Sequence, residues 1–224
     1  LGAGLRHWQA YWQYIHGKEV APHSMQTFNR ADMRTFWEDH IQWILEEGFE
    51  LIWSIGFRGL GDQPWFAALE DAPESDFDRA RMMEEMMAFQ VGLLEDVAGP
   101  DVTMRTQLYD DGGDFFASGA LRPPADPRII WSFADTPFCH YPNRDIMTYT
   151  PSENQPIGYY FHYQFTSTGA HFAQGEGPWK MEKNLRLVDA RSQRPLAFTV
   201  ANAGNVRELV FELSAYAKMV WDFE

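Results

Sequence analysis

Apolar positions along the chain follow two periods. Leu5, Trp8, Trp12 and Ile15 recur at spacings of three and four, which predicts an amphipathic helix that Gly17 stops. Asn29 followed by Asp32 reads as a variant capping box. Behind it Met33, Phe36, Trp37, Ile41, Ile44 and Leu45 form one buried helical face, ending at Gly48. The ELIWSIGF run at 50–57 is short and largely apolar, which suits a strand buried on both faces. A Gly-rich loop, RGLGDQP at 58–64, comes next. A further helix starts near Ser75, with Asp78 at its third position and Met83, Met87, Val91 and Leu94 turned inward. Gly99 and Pro100 end it.

Apolar runs at 103–109, 128–134, 157–163 and 196–201 read as four more strands, and helical patterns cover 179–190 and 206–220. Strands alternate with helices, and the chemically capable residues cluster just past the strands. That is the pattern of a parallel sheet with β–α crossovers. Five strands do not close an eight-stranded barrel, so about three preceding β–α units are expected to be absent or reduced. The chain opens on Leu1 with a helical pattern and no charged or apolar leader, which points to a piece excised from a longer protein. Residues 1–224 are therefore expected to be a single partial barrel domain.

Composition narrows the function classes. The net charge is −14, the wrong sign for phosphate contacts, so nucleic acid and anionic membranes are expected not to be partners. No run of 18 apolar residues is present to span a bilayer. Cys139 is the single cysteine, so neither an intrachain disulfide nor a cysteine cage for metal can form. Aromatic residues make up 16% of the chain, with 9 Trp, 9 Tyr and 17 Phe. Aromatics fill cores but also form the faces on which sugar rings stack, which brings carbohydrate forward as a ligand. The Met-rich stretch at 82–87 reads as core.

Several polar positions could carry chemistry, each with a plainer structural reading beside it. Arg58 can fork onto a carboxylate, and Asp62 can serve as acid or base; alternatively the two are a surface pair on a turn. Tyr109, Asp110 and Asp111 come after a strand and can bind a hydroxyl or form a polar turn. Asp135 leaves a buried strand at the edge where α/β enzymes place their sites, or caps the next segment. Tyr160 and His162 share one face of a strand and can stack on and hydrogen-bond a polar ring; a buried histidine can also be plain core. Asn202 and Asn205 can bind hydroxyls or cap a helix. No zinc-protease, phosphate-loop, dinucleotide or nucleophile-elbow motif is present. Adjacency of Cys139 and His140 in sequence is weak ground for a catalytic dyad.

Taken in order, these islands resemble the central barrel of the glycoside hydrolase family 115 α-glucuronidases. IGFRGLGDQP at 55–64, preceded by Phe36 and Trp37, is similar to the family's IGMRGEGDEP segment. Leu108 and Tyr109, Phe115 and Phe116, Gly119, and LRPP at 121–124 are similar to its LYKEV…YY…GL..P series. WSFAD at 131–135 resembles LLWADD, GYYFH at 158–162 resembles GIYYH, VANAGNV at 200–206 resembles VNVGDIK, and MVWD at 219–222 resembles MAWD. The series is collinear over nearly the whole chain. It implies a (β/α)8 TIM-type barrel, this segment covering roughly the C-terminal five β/α units. It also implies inverting removal of glucuronic acid from a polysaccharide such as glucuronoxylan. By position Asp62 and Asp135 are the implied catalytic acids, and Arg58, Tyr109, Tyr160, His162 and Asn202 the implied substrate-binding residues. No cofactor or metal is implied; an extracellular or periplasmic location and dimerisation through other domains are. Leu60, Gln63, Thr136 and Asn205 stand where the family has acids. These departures motivate an alternative, a catalytically degenerate barrel that binds glycans or serves a structural role.

Overall fold

The computed structural model describes residues 25, 29–56, 58–59, 63–67, 69–135, 141–163, 177–204 and 206–222. The expected helix at 5–15, Asp62, Cys139, His140 and Asn205 lie outside them. The described chain runs α1 (Arg30–Glu46), β1 (Trp53–Ser54), α2 (Asp76–Ala98), β2 (Met104–Leu108), α3 (Asp111–Ser118), β3 (Ile129–Ala134), α4 (Arg144–Thr148), β4 (Ile157–His162), α5 (Pro178–Asp189), β5 (Phe198–Asn202) and α6 (Val210–Trp221). It is an α/β fold with five described strands whose pairings are parallel, as in part of a β/α barrel. The chain forms two compact units, one comprising the residues up to Gln107 with Ser118–Ile129, the other Leu108–Ala117 with the residues from Ile130 onward.

In the first unit α1 packs on α2. Met33, Trp37, Ile41 and Ile44 of the first helix and Met83, Met86, Met87, Leu93 and Leu94 of the second are buried, and Trp37 lies 6.1 Å from the Phe89 ring between centroids. Both helices start where their caps lie: Asn29 accepts from the Ala31 amide at 2.9 Å, and Ser75 from the Asp78 amide at 3.1 Å. The strand expected over 50–57 is reduced to Trp53–Ser54, paired with Met104 and Arg105 of β2. The cause is at Gly56, which has φ +116° and turns the backbone away. Buried Gln90 of α2 then takes over the bonding, accepting from the Gly56 amide at 2.8 Å and donating to its carbonyl at 3.1 Å. Arg128 ties the far end of the unit by donating to Asp126, to Glu95 of α2 and to the Pro100 carbonyl.

In the second unit β4 is flanked by β3 and β5. Its alternate residues separate two environments. Tyr159 and Phe161 face the helices: the Tyr159 hydroxyl donates to Asn184 of α5 at 2.7 Å, and the Phe161 ring stacks on Tyr216 of α6 at 6.0 Å. Tyr163, just past the strand, donates to the Glu212 carbonyl of α6 at 3.3 Å. Gly158, Tyr160 and His162 occupy the opposite face. A Cβ on Gly158 would stand 2.8 Å from the Phe198 carbonyl oxygen, so β4 and β5 meet too closely for any other residue.

Two helices, α3 and α4, were not anticipated from the sequence. DGG at 111–113 has the composition of a turn, yet it opens α3. A Cβ at Gly113 would lie 3.0 Å from side-chain ends of both Asn143 and Asp145, so α3 starts close against the cap of α4 and a larger residue there would have to displace them. The last helix begins at Val210, later than the expected 206, because residues 206–209 form a turn. Much of the aromatic surplus is core. Phe116, Trp131, Phe133 and Tyr149 form one cluster with ring centroids 5.5–6.4 Å apart.

Candidate functional site

The second unit gathers five of the seven sequence-predicted site residues at the carboxyl ends of its strands. Asp135 comes directly after β3. Its amide donates to the Tyr160 carbonyl at 3.2 Å, and it forms an antiparallel bridge with Pro142. Its carboxylate turns to β4. Oδ2 accepts the His162 amide at 3.0 Å, and Oδ1 meets Nδ1 of the same histidine in a short hydrogen bond. A carboxylate accepts only, so this contact places the ring proton on Nδ1. The pair is deeply buried, with 5% of the His162 side chain exposed and none of Asp135. A buried pair of this kind persists only when its polar atoms are satisfied.

Aromatic rings brace the imidazole. Tyr160, two residues back on the same strand face, lies 4.2 Å from it between centroids, and Tyr109, just past β2, lies 5.3 Å away. Asn202 is the β5 residue in register with His162, and its carbonyl accepts the Tyr163 amide at 3.1 Å. Asp135, His162 and Asn202 thus succeed one another across three adjacent strands. The charge of Asp135 reaches further. Burial raises the Tyr216 phenol to about 12, a hydrogen bond with Thr199 opposes this, and Asp135 adds to the rise.

The other predicted positions fall elsewhere. Arg58 lies in the first unit, 6% exposed, in the turn where the Gly59 amide donates to the Gln63 carbonyl at 2.8 Å. A Cβ at Gly59 would come within 3.0 Å of backbone atoms of Pro64 and Trp65, so Gly59 lies tight against that segment. Asp62 is outside the described residues. Of the Asp110–Asp111 pair, Asp110 adopts φ +52° as a turn residue, and Asp111 is buried at the start of α3.

Sequence reasoning passed over two buried acids. Asp145, fully buried in α4, accepts its neighbour Ile146's amide at 2.7 Å through Oδ1. Its Oδ2 meets no hydrogen-bond donor among the described residues. Burial pushes its carboxyl up to about 8, with the charge of Asp114 contributing and two backbone hydrogen bonds opposing. Glu212 of α6 is fully buried, and neither carboxyl oxygen meets a donor among the described residues. No strand-end signal marks either residue; only their burial does. No group of three or more metal-ligating side chains occurs among the described residues.

The chain matches the model of glycosyl hydrolase family 115 over residues 3–224. No curated relative matches it. Its fold is similar to that of a solved structure of a family GH115 4-O-methyl-α-glucuronidase with specificity for decorated arabinogalactans. The TM-score is 0.69 at 18% identity, covering 88% of this chain. The chain spans 25% of that protein's length. The family match covers nearly every residue, and the fold is similar to that solved structure: this chain belongs to glycosyl hydrolase family 115.

Proposed function

We propose that this chain is part of a glycoside hydrolase barrel that releases glucuronic acid from the side chains of a polysaccharide such as glucuronoxylan, with inversion. The observation that carries the reading is the buried Asp135–His162 pair at the strand ends, braced by Tyr109 and Tyr160 and flanked by Asn202. It is a polar centre with aromatic walls, suited to a sugar ring, in a chain of a hydrolase family. Inverting hydrolysis needs one group to protonate the leaving oxygen and another to activate water on the opposite face of the sugar. The family resemblance implies Asp62 and Asp135 as these two carboxyl groups, with neither assigned as acid or base. It also implies Arg58, a permanent cation, as a partner for the uronate carboxylate. The family resemblance adds export from the cytoplasm and a homodimer built through other domains.

The test is uronic acid release by the full-length protein from glucuronoxylan and from a glucuronylated arabinogalactan, the substrate type named for the similar structure. Release as the β anomer from the α-linked substrate, abolished by Asp62→Asn, is expected. The α anomer appearing first refutes inversion. A second reading rests on Leu60, Gln63, Thr136 and Asn205, which by the resemblance stand where the family has acids. Saturable binding of the same glycans with no release from either, by protein shown to be folded, establishes that degenerate barrel instead.

A further inference from the structure

We propose that Asp135 acts through His162: the imidazole is the group that meets the sugar, and Asp135 is a positioning residue that holds the ring's proton on Nδ1. The inference rests on the reading above and assigns roles within its polar centre. A group that exchanges a proton with substrate or water must come within about 2.6–3.2 Å of it. Asp135 has no exposed side-chain surface, and both its oxygens point at His162, one at the ring and one at the backbone amide. Rotating the carboxylate outward would strip the buried amide and the ring nitrogen of their acceptor. Of the two side chains, that of His162 is the one that keeps any exposed surface.

Its orientation is fixed three times over. Oδ1 holds Nδ1, the Tyr160 ring lies 4.2 Å from the imidazole, and the Tyr109 ring lies 5.3 Å from it. The backbone contact at Oδ2 joins the carboxylate to the same residue whose ring it holds, so Asp135 and the imidazole cannot shift independently. With the proton on Nδ1, Nε2 is the nitrogen that accepts, directed away from Asp135 by the geometry of the ring. The arrangement has the logic of a carboxylate orienting a histidine in an acyl-transfer triad, placed on an unrelated fold.

The experiment uses full-length protein carrying 15N-labelled histidine, with His162 assigned by loss of its signals in His162→Asn. The ring nitrogens are expected to show the proton on Nδ1, and Asp135→Asn to move the ring into a mixture of tautomers. Titrated glucuronic acid, the product of the proposed reaction, should shift Nε2 saturably. On glucuronoxylan, Asp135→Asn should lower kcat by on the order of 10³-fold with KM changed less than about threefold. In the His162→Asn background the same substitution should add less than about threefold. Losses that multiply would show that Asp135 meets the substrate itself and would overturn the proposal. So would a proton on Nε2 in the unaltered protein, or an Nε2 signal indifferent to glucuronic acid. If Asp135→Asn does not fold, the tautomer and the titration in the unaltered protein still decide. If no uronic acid is released, the proposed function has failed, and the tautomer and titration judge this inference separately.

Discussion

Asp145→Asn replaces a fully buried carboxyl by a neutral amide of nearly equal shape. Oδ1 keeps its role as acceptor for the Ile146 amide. The native carboxyl is raised from 3.8 to about 8, principally by burial and in part by Asp114. In the unfolded chain the proton is released above about pH 4, whereas the folded chain keeps it to about pH 8. Folded Asp145 therefore binds the proton more tightly. The stability linked to it is fully present below pH 4 and is lost as pH rises toward 8. Each pH unit in that window removes up to about 1.4 kcal/mol, so between pH 5 and pH 7 the loss is about 2–3 kcal/mol. The asparagine variant carries no such term. Urea unfolding of both proteins at pH 5, 6, 7 and 8 should show the difference, variant minus native, growing in the variant's favour by about 2 kcal/mol from pH 5 to 7. A constant offset from the amide's own fit cancels in that slope. A difference that stays flat across the four pH values refutes the reasoning, because the carboxyl would then ionise as freely in the folded chain as in the unfolded one.

Close packing and buried hydrogen bonds set two further outcomes. Gly158→Ala places a methyl 2.8 Å from the Phe198 carbonyl oxygen and 3.2 Å from Ile130, forcing β4 and β5 apart. Chemical denaturation should register a loss of about 2–3 kcal/mol, and an unchanged midpoint would mean the strands can yield at that point. Gln90→Leu leaves both the amide and the carbonyl of Gly56 buried without their partner, and should cost about 2–4 kcal/mol in the same assay. Gln90→Glu keeps one acceptor and should recover part of that loss only at low pH, where the carboxyl is protonated and can donate.

Local signals were legible where the interactions that decide them are local. Asn29 and Ser75 begin their helices as their side chains dictate, because a cap bonds amides two or three residues away. Tyr160 and His162 share a face because strand geometry alternates, whatever the rest of the protein does. The expected strand at 50–57 is two residues long because Gly56 turns the backbone at φ +116°, and the residue that takes up its amide and carbonyl, Gln90, lies 34 positions on, outside any local window. The start of α3 is similar. Gly112 and Gly113 have turn composition yet open a helix, and the side chains that crowd Gly113, Asn143 and Asp145, come from about 30 positions on.

By itself, then, the sequence determined the alternation of strands and helices, their caps, and the placement of Asp135, Tyr160, His162 and Asn202 at strand ends, together with the family's motif order. Each of these arises from interactions within a few residues or from residue identity alone. Tertiary structure decided the rest. It joined Asp135 to His162 across 27 positions, set Asn202 in register beside that histidine, and buried aromatic rings such as Trp37, Trp65, Phe133 and Tyr159 in the core. It also buried Asp145 and Glu212. The physical reason is that a carboxylate's partner, its dielectric surroundings and its proton affinity belong to whatever segments the sheet register brings against it. That register is a property of the folded chain as a whole.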